Sequence, residues 1–508
     1  MTNAAPVQNA ATLTDLARDA ALRYLRSAVV VDDRPVRPPP ETGELATPDA
    51  EVLLAPKTGD DNAQLEPDLA EEPMVNAFAA FGIACAILVP PVLDAGRRTA
   101  ILRADIVVLD WRLGDGDEGD IALELIEAAA VAHPPSARRL ICVYTSDPDL
   151  DDIVARIATK LSVTAGTGVR SIDSGAVRVH VVPKCVDGSG VSEAELPGQL
   201  IDDFVETFRG LVPVIAVNAL SAVRDNLPRV LMRLGTELDA GYVGHCLMLA
   251  QPGDAVDHMR ALLGDELRSV IDSDERTTAV AGPRGLAAWA RAANVTDIQP
   301  GAEPLIAHLT GGVKVQSPNG KKKFTQVVTG MDEPRATLTN ESFAHRMTFR
   351  SNEWGRVPRC LEPGTVLRTG PNPHEYFVCV QPACDSLHIA TPTALFPFLP
   401  CDKTTNSEWD YVAAIDATHV RLKVRNRFDA VRHFRFAVDA SRRAVALDAA
   451  LLEVADPAGG VAQPTGRQFE YVGLLRPDQA KRLCQNVGVE FGRIGIDESE
   501  WQRLHLPS

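Results

Sequence analysis

Residues 29–33 read Val-Val-Val-Asp-Asp, and residues 105–110 read Asp-Ile-Val-Val-Leu-Asp. Fully apolar runs that end in acids are the pattern of neighbouring parallel strands in a covered sheet. In such a sheet the carboxyl ends of the strands share one edge, where ligands bind, so the two runs would deliver Asp32, Asp33 and Asp110 to one place. Three gathered carboxylates repel one another unless a cation relieves them. A hard divalent ion such as Mg²⁺, bound through carboxylates, a carbonyl and water, is their natural partner.

Outward from these strands the chain alternates. A helical pattern over residues 12–26, with Thr14 as its candidate cap, leads into the Val29 strand. Prolines at 35, 38, 39 and 40 then introduce a segment with ten acids and one lysine between Glu41 and Glu72, read as an acidic insertion over residues 34–72. Further strands are expected at 83–89, 139–145 and 176–182, with helices between them. The fold class is therefore α/β, an N-terminal doubly wound sheet of five parallel strands. The expected divisions are a first domain over residues 1–210, a helical segment over 211–298, and a β-rich C-terminal domain over 299–508.

Composition narrows the function class. At 508 residues, with 45% hydrophobic and 23% charged residues, the chain reads as a multidomain globular protein. A net charge of −17 disfavours broad binding to nucleic acid or anionic membrane. Nine cysteines without a repeated spacing suit reduced thiols in the cytoplasm. The first fifteen residues lack a secretory-signal pattern, and no apolar run has the length of a membrane helix.

Polar residues at the remaining strand ends complete the chemistry: Thr145 after the fourth strand and Lys184 after the fifth. A carboxylate such as Asp110 can attack a phosphoryl group to form an aspartyl phosphate. Thr145 would then hydrogen-bond one phosphoryl oxygen, and Lys184 would neutralise another.

The motifs VVVDD, IVVLDWRL, ICVYTS and VVPK, in this order over residues 26–210, resemble the receiver domain of bacterial two-component response regulators, a flavodoxin-like fold. The resemblance implies that Asp110 is the phosphoacceptor and that Asp32, Asp33 and the backbone carbonyl of Arg112 join it in holding Mg²⁺. Thr145 becomes the switch hydroxyl and Lys184 the phosphate-binding lysine, and a histidine kinase is the implied partner. Three departures stand out. Pro183 precedes the lysine where the family has proline after it, Val181 replaces a frequent aromatic, and the insertion after Asp33 is long. Arg112 and Asp147 occupy loop positions that in this family govern how long the phosphate survives, and they are expected to pair. The chain is also similar to atypical response-receiver proteins found beside kinases in antiphage systems such as Detocs.

Competing motifs are weaker. Acids at 115, 117, 118 and 120 lack a Ca²⁺ loop's closing glutamate. A haloacid-dehalogenase phosphatase needs an Asp where Arg112 stands. Cys379 and Cys384, with Cys360, Cys401, His374 and His388 nearby, lack a second close pair for zinc and read as structural thiols. Basic residues concentrate at Lys321–Lys323 and between His419 and Arg443, read as a solvated sheet face. The sequence thus supports a phosphoaccepting receiver in a phosphorelay. In that role it is a phosphate sink or a partner of another receiver-containing effector. The alternative is a receiver-shaped interaction module that is never phosphorylated and whose C-terminal domain binds protein or nucleic acid.

Overall fold

The computed structural model describes residues 11–36, 69–90, 95–114, 116–131, 139–164, 168–174, 177–249, 254–293, 330–351, 360–370, 373–382, 385–386, 389, 391–406, 408–415, 418–438, 451–455 and 464–492. Most of the acidic insertion, Lys321–Lys323, Cys384 and His388 lie outside them. The chain forms two units, Met1–Asp297 with Glu303–Val313, and Ile298–Ala302 with Lys314–Ser508. Among the described residues no helix is long and apolar enough to cross a membrane.

The first unit opens with α1 (Leu13–Tyr24). Its cap is Thr12, not Thr14: the Thr12 side chain accepts from the Asp15 amide while the Asp15 carboxylate accepts from the Thr12 amide. This reciprocal box satisfies two orphan backbone donors at once, which Thr14 inside the first turn cannot do. Strand β1 (Ser27–Val31) follows, then a two-residue parallel ladder of β2 (Pro35–Val36) with β3 (Leu69–Ala70) that brings the two ends of the insertion together beside Asp33. Next come α2 (Glu71–Ala80), β4 (Ala84–Leu88), α3 (Ala95–Arg103), β5 (Ile106–Leu109), α4 (Asp120–Val131), β6 (Arg139–Thr145), α5 (Leu150–Lys160), β7 (Ser171–Asp173), β8 (Val177–Pro183) and α6 (Leu196–Thr207).

The sheet runs β4-β1-β5-β6-β8-β7, parallel throughout except that β7 pairs antiparallel with β8. It therefore has six strands, mixed in direction, where the sequence suggests five parallel ones. The extra strand offers little signal, because in Ser-Ile-Asp only Ile172 is buried. Alternation along β1 explains the doubly wound layers. Ala28 and Val30 pack with α1, α2 and α6, while Val29 and Val31 pack with α3, α4 and α5.

Five more α-helices follow among the described residues of this unit: α7 (Leu211–Arg233), α8 (Asp239–Met248), α9 (Asp254–Asp272), α10 (Glu275–Ala281) and α11 (Pro283–Ala292). Val214, Val217, Val280 and Ala288 extend the α1 face of the core, so α7, α10 and α11 share one apolar cluster with the sheet. Arg224 of α7 fastens this layer. Its guanidinium donates to both Asp105 carboxylate oxygens (2.9 and 3.1 Å) and to the Tyr24 carbonyl (2.8 Å).

The second unit is an antiparallel sheet with flanking helices, in keeping with the β-rich reading. Its elements are α12 (Glu333–Thr348), β9 (Thr365–Thr369), β10 (Tyr376–Cys379), β11 (Thr393–Lys403), β12 (Tyr411–Ile415), β13 (Thr418–Val424), β14 (Arg432–Ala437), β15 (Leu451–Val454), β16 (Pro464–Leu474) and α13 (Pro477–Gly492). The strand order is β12-β13-β11-β10-β9-β16-β15, with β14 also on β11. One face buries Val378, Leu399 and Leu422 with α13, and the other stacks Phe377, Phe398, Phe434 and Phe469.

Replacing Arg224 with alanine removes charge-assisted bonds to a largely buried carboxylate, and is expected to destabilise the first unit by ~1–3 kcal/mol. Chemical denaturation of parent and variant measures it, and an unchanged midpoint would show that α7 is held by apolar packing alone.

Candidate functional site

The site forms because each participating strand ends at the same edge. Asp32 and Asp33 leave β1, Asp110 leaves β5, Thr145 ends β6, and Lys184 follows β8. Backbone bonds carry the parallel register to the tips: Asp110 N donates to Val31 O (2.9 Å) and Lys184 N to Thr145 O (2.7 Å). Asp32, Asp110, Thr145 and Lys184 are buried, and Asp33 is half-buried.

Asp32, Asp33 and Asp110 present ligand oxygens that all lie within 4.8 Å of one another. The Lys184 ammonium bridges two of them, donating to Asp32 Oδ2 (2.9 Å) and Asp110 Oδ2 (2.8 Å). The other oxygens have backbone donors, Arg34 N to Asp32 Oδ1 (2.9 Å) and Trp111 N to Asp110 Oδ1 (2.7 Å). The Arg34 guanidinium approaches the Asp33 carboxylate at 3.8 Å. An all-oxygen, anionic set of this kind fits a hard divalent cation, and not the soft donors that zinc or copper sites prefer.

Electrostatics reflect crowding. Burial, with the Asp32 charge adding to it, pushes the Asp110 carboxyl up to about 6 despite the opposing Lys184. Burial also raises Asp33, against the pull of Arg34. Burial alone would depress Lys184, but the Asp110 and Asp32 carboxylates outweigh it and hold the ammonium above its ordinary range. The cluster thus carries more negative charge than its own cation relieves.

Two loops set the geometry. After Asp110, the buried Trp111 lies against Gly119, where a Cβ would fall 2.2 Å from the indole, and Arg156 stacks over its ring at 5.1 Å. Asp117 in this loop accepts from the Leu113 and Asp120 amides (2.9 and 3.0 Å), a structural use of the acid-rich run. After Pro183, Asp187 and Gly188 both have positive φ in a tight hairpin closed by Val186 and Ser189. Gly190 then returns so close to the Lys184 carbonyl that a Cβ would lie 2.3 Å from it. This turn aims the lysine without a following proline. Gly190 carries no motif of its own; the Asp187-Gly188 pair is the one local signal for the turn.

Arg112 and Asp147 pair at 2.8 Å over the loop ends, as expected from their positions. Thr145 Oγ1 accepts from the Asp147 amide (3.1 Å), leaving its hydroxyl proton to donate elsewhere. In the second unit, Cys379 is buried on β10 and burial pushes its thiol up to about 12, the environment of a structural thiol. The only cluster of three or more metal-ligating side chains among the described residues is the aspartate set.

The family model for a response receiver domain matches residues 24–180. A receiver domain is therefore present in the first unit, and the match includes the three aspartates and Thr145 and ends just before Lys184, which geometry adds. No curated protein and no solved structure matches the chain.

The raised Asp110 carboxyl gives a pH test. Between the ordinary value of 3.8 and about 6 the folded state retains a proton that the unfolded chain has lost, so this group's contribution to stability falls as pH rises. Without Mg²⁺, Asp110→Asn should therefore be more stable than the parent at pH 8, by on the order of 2 kcal/mol, with the gap shrinking below about pH 6 and closing as pH falls below about 4. Thermal unfolding across pH reads this, and a pH-independent gap would contradict it.

Proposed function

We propose that the chain accepts a phosphoryl group on Asp110 from a histidine kinase, in a cytoplasmic two-component-type phosphorelay that serves antiviral defence. The single observation that carries the reading is the convergence of Asp32, Asp33, Asp110 and Lys184 at one buried sheet edge within and beside a receiver domain. The defence setting rests on the sequence resemblance described above.

Asp32, Asp33, Asp110 and the Arg112 carbonyl would hold Mg²⁺, which when bound neutralises charge on the aspartates and on the transferring phosphoryl group. The chain's own groups account for the rest. An ionised Asp110 oxygen attacks phosphorus as the phosphohistidine P–N bond breaks, and the histidine takes the leaving electron pair. Lys184, already donating to Asp110, moves its hydrogen bond to a phosphoryl oxygen. Thr145 donates its free hydroxyl proton to another, drawing the β6 end toward the acceptor. The Arg112–Asp147 pair covers the loop ends and limits the access of hydrolytic water, which lengthens the life of the aspartyl phosphate. A long-lived phosphate suits a sink, or a component that competes with another receiver-bearing effector for phosphate.

Intact mass after incubation with acetyl phosphate and Mg²⁺ tests the acceptor. One added phosphoryl group is expected in the parent, none in Asp110→Ala, and a reduced amount in Lys184→Ala. Absence of the adduct together with absence of beryllofluoride binding would favour the unphosphorylated interaction module. Breaking the cover with Arg112→Ala should shorten the phosphate half-life severalfold without abolishing its formation, as followed by the decay of the phosphorylated mass.

A further inference from the structure

The second unit contains a cavity of about 530 Å³ where α12, the start of β13 and the end of β16 come together. Arg346, Arg350 and Arg476 line it with His345 and His419, and among the described residues no carboxylate does. In a chain of net charge −17 such a gathering of cations is conspicuous, because like charges this close repel unless an anion relieves them. Glu341, one residue before Ser342 of the lining, is already committed to Arg421 (2.6 Å).

The Arg and Lys side chains from Arg421 to Arg427, in the basic stripe that the sequence shows, are paired with acids within the unit. Arg421 pairs with Glu341, Lys423 with Asp410, Arg425 with Asp402 and Arg427 with Asp429. By contrast, the exposed guanidiniums of Arg346 and Arg350 make no hydrogen bond or ion pair among the described residues. Arg476 is held in place, its Nε and Nη2 donating to the Arg346 carbonyl (3.0 and 2.8 Å), which leaves Nη1 uncommitted.

The wall behind these cations is built. His345 stacks on Phe349 (5.0 Å between centroids) and fixes its Nδ1 on the Val412 carbonyl (3.0 Å). Phe349 in turn presses on Gly473, where a Cβ would lie 2.9 Å away. His419 Nδ1 is enclosed without a hydrogen-bond partner, an incomplete account that ligand oxygens or ordered water would close.

We propose that this cavity binds a small phosphorylated anion, the di- or triphosphate chain of a nucleotide-sized ligand, through Arg346, Arg350 and Arg476. Guanidinium forks match phosphate oxygens, and the volume falls within the range of small-molecule pockets, roughly 300–1,000 Å³. Nucleic-acid backbones are tracked by cations spread along a groove, whereas these converge on one hollow.

Isothermal titration of the full chain tests this, with EDTA present so that the aspartate cluster of the first unit has no divalent ion to recruit phosphate. The probes are inorganic pyrophosphate and ATP. Both should bind the parent, about tenfold or more weaker to Arg346→Ala/Arg350→Ala, and with parent affinity to Arg427→Ala. Equal affinity for the two probes assigns recognition to the phosphate chain alone, and tighter ATP binding adds the nucleoside; either supports the proposal. It is overturned if neither probe binds, if the double variant binds like the parent, or if a single-stranded oligonucleotide binds while both small probes do not. Both mutated side chains are exposed, so circular dichroism should confirm an unchanged fold.

Discussion

One ammonium facing two buried carboxylates governs the first unit. Lys184 reaches across from β8 to Asp32 of β1 and Asp110 of β5, spanning the β6 tip that lies between. A pair of this kind repays its desolvation only when the surrounding lone pairs are also met, and here the Arg34 and Trp111 amides meet them. With Asp33 added, the cluster is still short of positive charge. It is stable enough to fold and incomplete enough to favour an added cation.

Apolar layering makes that position rigid. The two faces of β1 feed two separate clusters, one beneath α3, α4 and α5 and one beneath α1, α2 and α6. Helices α7, α10 and α11 extend the second cluster, and the Arg224–Asp105 link ties α7 to the residue that precedes β5. The strand that presents Asp110 is thereby braced at its other end by a helical layer that the sheet alone would lack. A displacement at one end of β5 is resisted at the other by packing and by charge.

Much of this was legible in the sequence, for identifiable reasons. β1, β5 and β6 are short apolar runs ending in polar residues, so both their existence and the position of the site follow from chain order. β7 was not legible, since a three-residue strand with one buried side chain leaves no period to detect. The lysine loop was legible only in part: Pro183 suggested a different aim, while the Asp187-Gly188 turn and the close return at Gly190 supply the geometry by backbone conformation. The cationic hollow of the second unit was hidden because its residues come from three separated segments, 342–351, 414–419 and 472–476. The visible basic stripe on β13 was, in contrast, already balanced by acids whose pairing depends on strand register.

The edge strand β7 has a wider consequence. Strand β8 carries the backbone that leads into Lys184, and an open β8 edge would offer its unpaired amides and carbonyls to any extended peptide or to another copy of the sheet. Ser171–Asp173 takes up part of that edge in antiparallel register, up to His180. Recognition by strand addition is therefore blocked along the root of the lysine arm. What stays open on this side is the set of loop tips, so a protein that distinguishes one state of the aspartate cluster from another must read side chains there and not main chain.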